Sequence, residues 1–187
     1  MATTTTNELK NGMTLDLADG LFQIVEFQHV KPGKGHAFVR TTLRNVRTGG
    51  TIDRTFRAGE KVQRAIIDKR SMQYLYRETT DYVFMDNESY EQLVVSSDTL
   101  GRAVDYLVDG SAPLLFMFGS EVVGIELPAA VELIVTVTDP GVQGDRVSGA
   151  RKPATLETGL VLQVPLFIEP GEAVKVDTRS GEYLGRS

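Results

Sequence analysis

Residues 21–44 read LFQIVEFQHVKPGKGHAFVRTTLR, and this stretch decides the fold of the first part of the chain. Residues 21–30 are rich in β-branched and aromatic side chains, and residues 37–44 alternate between two sets of side chains with a period of two. Both patterns are typical of β-strands. The segment Lys31-Pro32-Gly33-Lys34-Gly35 between them predicts a turn. We therefore expect a β-hairpin whose tip carries Lys34.

The chemistry of this tip has two interpretations. Pro32 fixes its own φ, and Gly33 and Gly35 place no Cβ beside Lys34, so the backbone can approach another macromolecule closely while the amine reaches ahead. The same residues also fit an ordinary solvated hairpin whose lysine keeps a sheet edge soluble. A phosphate-binding loop of the type G-x-x-x-x-G-K-[ST] is excluded, because Gln28 and Gly35 occupy two of its required positions.

Composition and charge bound the class of protein. The 187 residues include 41% hydrophobic residues, enough for packed cores, and no cysteine, which excludes a disulfide framework and a thiolate nucleophile. The net charge of −5 is unevenly distributed. Residues 1–65 carry 10 Lys and Arg against 6 Asp and Glu, whereas residues 66–127 carry 4 against 11. A basic part joined to an acidic part favours an oriented partner, such as one that presents phosphates to the basic end.

The N-terminus and the hydropathy pattern indicate where the protein works. Residues 1–7 lack the basic and apolar regions of a signal peptide, and no run of about 18 apolar residues occurs. We expect a cytoplasmic protein without a membrane partner.

The remaining pattern is mostly β. Further strands are predicted at 51–56, 72–77, 82–86, 114–118, 122–127, from Val131 onward, and at 160–164, 166–168 and 174–178. One helix is predicted after Ser96-Ser97-Asp98, with Leu100, Val104, Leu107 and Val108 as its apolar stripe and Gly110 as its stop. Short strands with few helices suggest small barrels, with a boundary near residue 128.

Several separated runs of residues carry a family resemblance. They are 29–35 with 37–40 around the tip, 74–76 and 84–86 in the middle, and 138–141, 144–146, 152–159, 164–168 and 175–183 near the end. In order and spacing they closely resemble bacterial elongation factor P, especially its actinobacterial members, over essentially the whole chain.

The resemblance implies an all-β fold of three small β-barrel domains arranged in the L shape of a transfer RNA. These would be an N-terminal KOW-like (SH3-like) domain at 1–65, an OB-like middle domain at 66–127 with one short helix, and an OB-like C-terminal domain at 128–187. It also implies a monomeric translation elongation factor, not an enzyme, with no cofactor and no metal. Such a factor binds the ribosome beside peptidyl-tRNA, contacts ribosomal RNA, and stimulates peptide bond formation at consecutive prolines.

The resemblance assigns two sets of site residues. Lys34 would contact the acceptor end of peptidyl-tRNA and is the candidate target of a lysine-modifying enzyme, with Lys31, Pro32, Gly33, Gly35, His36 and Arg40 as its support. Actinobacterial relatives often carry proline where this chain has His36, which predicts a less rigid loop here. In the third domain, a flexible loop with Gly144, Asp145, Arg146, Arg151 and Lys152 would contact the small subunit near the exit-site codon.

Two other classes of function stay open at this stage. A stand-alone single-stranded RNA-binding protein would also use OB barrels, with Phe38, Tyr74 or Tyr76 as platforms for base stacking. A glycosidase-like enzyme would need paired carboxylates, yet none of the 25 Asp and Glu residues forms a motif with a recognisable role.

Overall fold

The computed structural model describes residues 2–141 and 149–187, and three β-sheets account for most of them. The all-β prediction is confirmed. The chain forms two compact units: one runs to Lys69 and also takes in Phe116–Gly124, and the other comprises Arg70–Leu115 and Ile125–Ser187. The proposed boundaries at 65/66 and 127/128 stay predictions.

The first sheet contains six strands in the order β1-β6-β2-β3-β4-β5. They are β1 (Ala2–Thr5), β2 (Thr14–Leu17), β3 (Gly20–Val30), β4 (Phe38–Asn45), β5 (Thr51–Arg57) and β6 (Lys61–Ala65). A 3₁₀ helix at Thr6–Glu8 joins β1 to the loop before β2. The alternation seen in the sequence sets the core, because Val39, Thr41 and Leu43 of β4 are buried while Arg40 and Arg44 are exposed.

A second apolar cluster completes this first unit. Leu21, Ala65 and Val123 are buried together, and the rings of Phe116 and Phe118 pack against them. At Gly124 a Cβ would lie 3.1 Å from the Phe116 ring and 3.3 Å from the Val46 carbonyl oxygen, so only glycine fits without a shift.

The middle sheet has the order β11-β10-β7-β8-β9. Its strands are β7 (Asp68–Glu78), β8 (Asp81–Asp86), β9 (Gln92–Ser96), β10 (Leu114–Phe118) and β11 (Glu121–Glu126). Between β9 and β10, the α-helix α1 (Ser97–Leu100) begins at the N-cap Ser96, whose hydroxyl accepts a hydrogen bond from the Thr99 amide. A 3₁₀ helix follows at Gly101–Tyr106.

The predicted helix is therefore present, but the α-helical part is shorter than the sequence predicted. Gly101 has φ +54° and ψ −131°, a conformation outside the α-helical region, so the α-helix ends there. The expected apolar stripe is divided: Leu100 and Leu107 are buried, whereas Val104 and Val108 are half-buried.

The third sheet has the order β14-β13-β12-β15-β16. Its strands are β12 (Ala130–Thr138), β13 (Arg151–Leu156), β14 (Val161–Pro165), β15 (Ala173–Asp177) and β16 (Tyr183–Arg186). The strand expected at 166–168 is wrong, because residues 166 and 167 form a turn after Pro165. Tyr106, from the 3₁₀ helix, belongs to the same buried core as Leu133, Leu156 and Val176.

Candidate functional site

The Lys34 loop is the connection between β3 and β4. Val30 pairs with Phe38 at the last step of the ladder, so residues 31–37 project beyond it. Residues 31–36 are all exposed. Gly35 has φ +106°, in the region that favours glycine, whereas Gly33 has an ordinary φ and no atom within 4 Å of the position a Cβ would take. The fold therefore requires glycine at 35 but not at 33.

The amine of Lys34 is available at this tip. Its side chain is exposed, and it makes no hydrogen bond or ion pair with any residue in the ranges 2–141 and 149–187. An ammonium group that is not neutralised by its own protein keeps its full charge for an anionic partner.

Below the tip, the second strand of the hairpin, β4, is paired on both sides. β4 pairs along its length with β3 and with β5, and the Thr41 hydroxyl donates to the Arg54 carbonyl oxygen at 2.8 Å. Phe27 and His29 form an edge-to-face contact with ring centroids 5.6 Å apart. His29 is thus a strand residue, as the sequence predicted. Two paired neighbours give the tip a firm base.

The cations around the hairpin differ in how far they are neutralised. The Arg54 guanidinium donates two hydrogen bonds to the Asp19 carboxylate, at 3.1 and 2.7 Å, and these bonds lower the pKa of Asp19. Lys31 and Arg40 are exposed and have no ion pair with the described residues. Arg40 lies on the outward face, opposite Gln28 on β3 and Thr55 on β5. Lys31 and Arg40 are therefore free to meet an anionic partner on the same hairpin as Lys34, as is the exposed Arg44 further down β4.

The second predicted site is only partly covered by the structure. Gly144, Asp145 and Arg146 lie outside the described residues. Arg151 and Lys152 were expected in a flexible loop, and that placement is wrong, because both belong to β13. Arg151 is exposed.

Lys152 has a different role from the one expected. It points inward with Ala154 and Leu156 and is only 5% exposed. Its ammonium donates to the Asp139 carbonyl oxygen at 2.6 Å, which satisfies one of its three N–H donors and ties the residue after β12 to β13. The period-two alternation Lys152, Ala154, Leu156 was the sequence signal that could have shown this.

Comparison with known proteins identifies the family. Residues 5–62 match the model described as the elongation factor P (EF-P) KOW-like domain, residues 67–125 the EF-P OB domain, and residues 131–186 the C-terminal domain of elongation factor P. Elongation factor P of Acidothermus cellulolyticus is 59% identical over 183 residues, which cover 98% of each chain. That of Frankia casuarinae is 58% identical over 182 residues, 97% of each chain. The chain belongs to the elongation factor P family.

Solved structures show the same fold at low identity. Eukaryotic translation initiation factor 5A from Methanococcus jannaschii has a TM-score of 0.52 and 23% identity over 68% of this chain and 92% of that one. A translation initiation factor eif-5a family protein from Naegleria fowleri has a TM-score of 0.54 and 16% identity over 67% of this chain and 95% of that one. As an elongation factor P family member, this chain is a translation elongation factor.

The structure also bears on the alternative function of single-stranded RNA binding by base stacking. Tyr74 is 6% exposed and packs against Phe84, so it is a core residue and not a stacking platform. Phe38 is half-buried, and only Tyr76 is exposed among the three candidates.

Among the residues described, no group of three His, Cys, Asp or Glu side chains could hold a metal ion. No helix within the same residues is long and apolar enough to cross a membrane.

Proposed function

We propose that this protein binds the ribosome beside peptidyl-tRNA and relieves stalling at consecutive prolines, with Lys34 contacting the acceptor end of that tRNA. The observation that carries the proposal is the exposed Lys34 amine, which forms no ion pair with the described residues and lies at the tip of a hairpin whose strand β4 is paired with both β3 and β5. Ribosomal RNA is the second expected partner. The protein would act in the cytoplasm as a monomer and without a cofactor.

The chemistry of proline explains why positioning is enough. A proline acceptor is a constrained secondary amine, and a nascent chain that ends in prolines is stiff, so the amine and the ester seldom align. A cation that holds the tRNA backbone restricts unproductive orientations. Each ~1.4 kcal/mol removed from the barrier accelerates the reaction about tenfold. No catalytic side chain is needed for this effect, which agrees with a factor that is not an enzyme.

The residues around the tip fit this task. Lys31 and Arg40 supply further positive charge on the same hairpin, and they are the expected phosphate contacts beside Lys34. Gly33 lacks any intramolecular reason to be glycine, which is consistent with close approach of a partner to the backbone. A lysine-modifying enzyme would find Lys34 accessible. Pro32 and His36 complete the loop that such an enzyme would meet.

In the third domain, Arg151 remains a proposed contact of the small subunit, together with Gly144, Asp145 and Arg146. Lys152 is withdrawn from that set, because its buried ammonium already binds the Asp139 carbonyl oxygen.

A reconstituted translation system tests the proposal. Two messages are compared, one encoding three consecutive prolines and one encoding none. Lys34→Ala is expected to lose the stimulation on the proline message, and Lys34→Arg to retain part of it, because its charge is kept while its shape differs. Lys61→Ala removes another exposed lysine from the same sheet and is the matched control. Full stimulation by Lys34→Ala would contradict the proposal.

A further inference from the structure

The edge of the middle sheet at β9 is open. β9 is the last strand in the order β11-β10-β7-β8-β9 and pairs with β8. Within the described chain, no backbone hydrogen bond outside the sheet involves residues 92–95, whereas Ser96 is the N-cap of α1. Edge strands are commonly protected by proline or by lysine and other charges within the strand. β9 reads QLVVS and has neither, whereas the edge strand β14 ends in Pro165 and β5 contains Arg54 and Arg57.

The outward face beside this edge is apolar. Strand register places Tyr76, Val83 and Val94 in one row across β7, β8 and β9. The middle member is buried, but Tyr76 is 49% exposed and Val94 63% exposed. An additional strand paired with β9 would extend this row and cover Val94.

Carboxylates surround the same edge, on a stretch of chain that lies between Arg77 and Arg102. Residues 78–101 contain six Asp and Glu and no Lys or Arg. The Asp86 carboxylate is used internally, since it accepts hydrogen bonds from the amides of Glu88 and Ser89 and lies 3.7 Å from Arg70. The other five, Glu78, Asp81, Glu88, Glu91 and Asp98, form no ion pair with the described residues.

The carboxylates lie at both ends of β9. Glu91 directly precedes the strand, and Asp98 follows it by two residues. Across the sheet, Ser96 is opposite Asp81, which is itself opposite Glu78. Like charges directly opposite each other in a sheet are unfavourable. The nearby Arg77 does not relieve this, because its Nε donates to the Thr79 carbonyl oxygen and its guanidinium lies over the Tyr82 ring.

We propose that β9 is a docking edge for a basic, extended segment of a partner protein, which adds a strand to the middle sheet. The open backbone groups would supply the affinity, the Val94 row would select an apolar side chain, and the carboxylates at both ends would pair with lysines or arginines of the segment. RNA is disfavoured at this edge because the carboxylates repel phosphates. This surface lies outside the Lys34 loop and goes beyond the proposed function.

A labelled peptide tests the docking edge. The probe is a fluorescein-labelled decapeptide in which lysine alternates with valine and threonine, measured by fluorescence anisotropy with the full-length protein at low salt. Hydrogen exchange of the backbone amides is followed in parallel. We expect saturable binding and slower exchange confined to β9. Neutralising the carboxylates with Glu78→Gln, Asp81→Asn and Glu91→Gln together is expected to weaken binding about tenfold.

Two matched controls distinguish binding at β9 from a general effect of the protein's negative charge. The triple variant Glu132→Gln, Glu169→Gln and Glu182→Gln removes three exposed carboxylates of the third domain and should leave affinity unchanged. Val94→Lys should abolish binding while the protein stays folded, because that side chain is exposed. Val161→Lys, at a 59% exposed position on the edge strand β14, should have no effect.

Three results would overturn the docking edge. The first is a peptide affinity that changes neither in the triple variant Glu78→Gln, Asp81→Asn and Glu91→Gln nor in Val94→Lys. The second is tighter binding of a labelled oligoribonucleotide than of the peptide at this edge. The third is self-association in sedimentation that Val94→Lys abolishes.

Discussion

Tyr106 carries a buried hydroxyl group that the fold does not use. The residue is 2% exposed, and its oxygen has no hydrogen-bond partner in the described structure. A buried polar group without a partner costs roughly 1–3 kcal/mol, so its deletion should recover free energy. Tyr106→Phe keeps the ring in the core of the third sheet and removes only the oxygen. We expect it to raise the free energy of unfolding by about 1 kcal/mol, equivalent to about 2–4 °C in Tm for a chain of this size.

Gly181 provides an internal check on this prediction. Its φ is +75°, and a Cβ at this position would lie 3.1 Å from the Tyr106 hydroxyl oxygen. Gly181→Ala should therefore cost about 1–2 kcal/mol from the left-handed backbone, with an added steric contribution from the oxygen. In the Tyr106→Phe background only the backbone contribution remains, so the cost should fall.

Urea and thermal unfolding followed by circular dichroism measure all four proteins of this cycle. The reasoning is refuted if Tyr106→Phe lowers stability, since the hydroxyl would then have a favourable partner. An identical cost of Gly181→Ala in both backgrounds would show that a side chain at position 181 does not contact the Tyr106 hydroxyl.

Three further predictions concern the turns, the buried lysine and the tip. Backbone amides that donate to Asp86 and Asp177 lower the pKa of both carboxyls, so the folded state binds fewer protons. The contribution of these two carboxylates to the free energy of unfolding is complete above the ordinary carboxyl pKa and is lost as pH falls through the lowered values. Tm should therefore be flat from about pH 7 to 5 and fall below about pH 4. The fall should be less steep in the double variant Asp86→Asn/Asp177→Asn. Lys152→Ala should cost about 2 kcal/mol in urea unfolding, against less than about 0.5 for the exposed neighbour Arg151→Ala, and equal costs would contradict the buried hydrogen bond. Gly35→Ala should lose about 1 kcal/mol of stability because of its positive φ, whereas Gly33→Ala should unfold like the parent protein but stimulate the proline message less; an unstable Gly33→Ala would contradict the geometry of the tip.

The hairpin that presents Lys34 could be predicted from the sequence because each of its signals is local. Alternation in β4 marks the buried face, and Pro32 with the two glycines marks the turn. The resemblance to elongation factor P extended this local prediction to the whole chain, and the family is confirmed by the comparisons.

The errors have local causes that compete with the pattern used. The apolar stripe from Leu100 to Val108 predicts a helix, but the backbone of Gly101 ends it after one turn. Lys152 was taken as exposed because lysine usually is, although its strand alternation places it inside. β9 was not predicted, since a five-residue strand without flanking glycine or proline gives a weak signal.

Lys34 at the acceptor end of peptidyl-tRNA is the central claim, and a ribosome-bound structure tests it most directly. Electron cryomicroscopy of the protein on a ribosome stalled at consecutive prolines should place the Lys34 amine within about 4 Å of the backbone of the tRNA acceptor strand, a distance at which opposite charges interact strongly. A map in which the tip faces solvent or ribosomal protein, with no contact to that strand, would contradict the account.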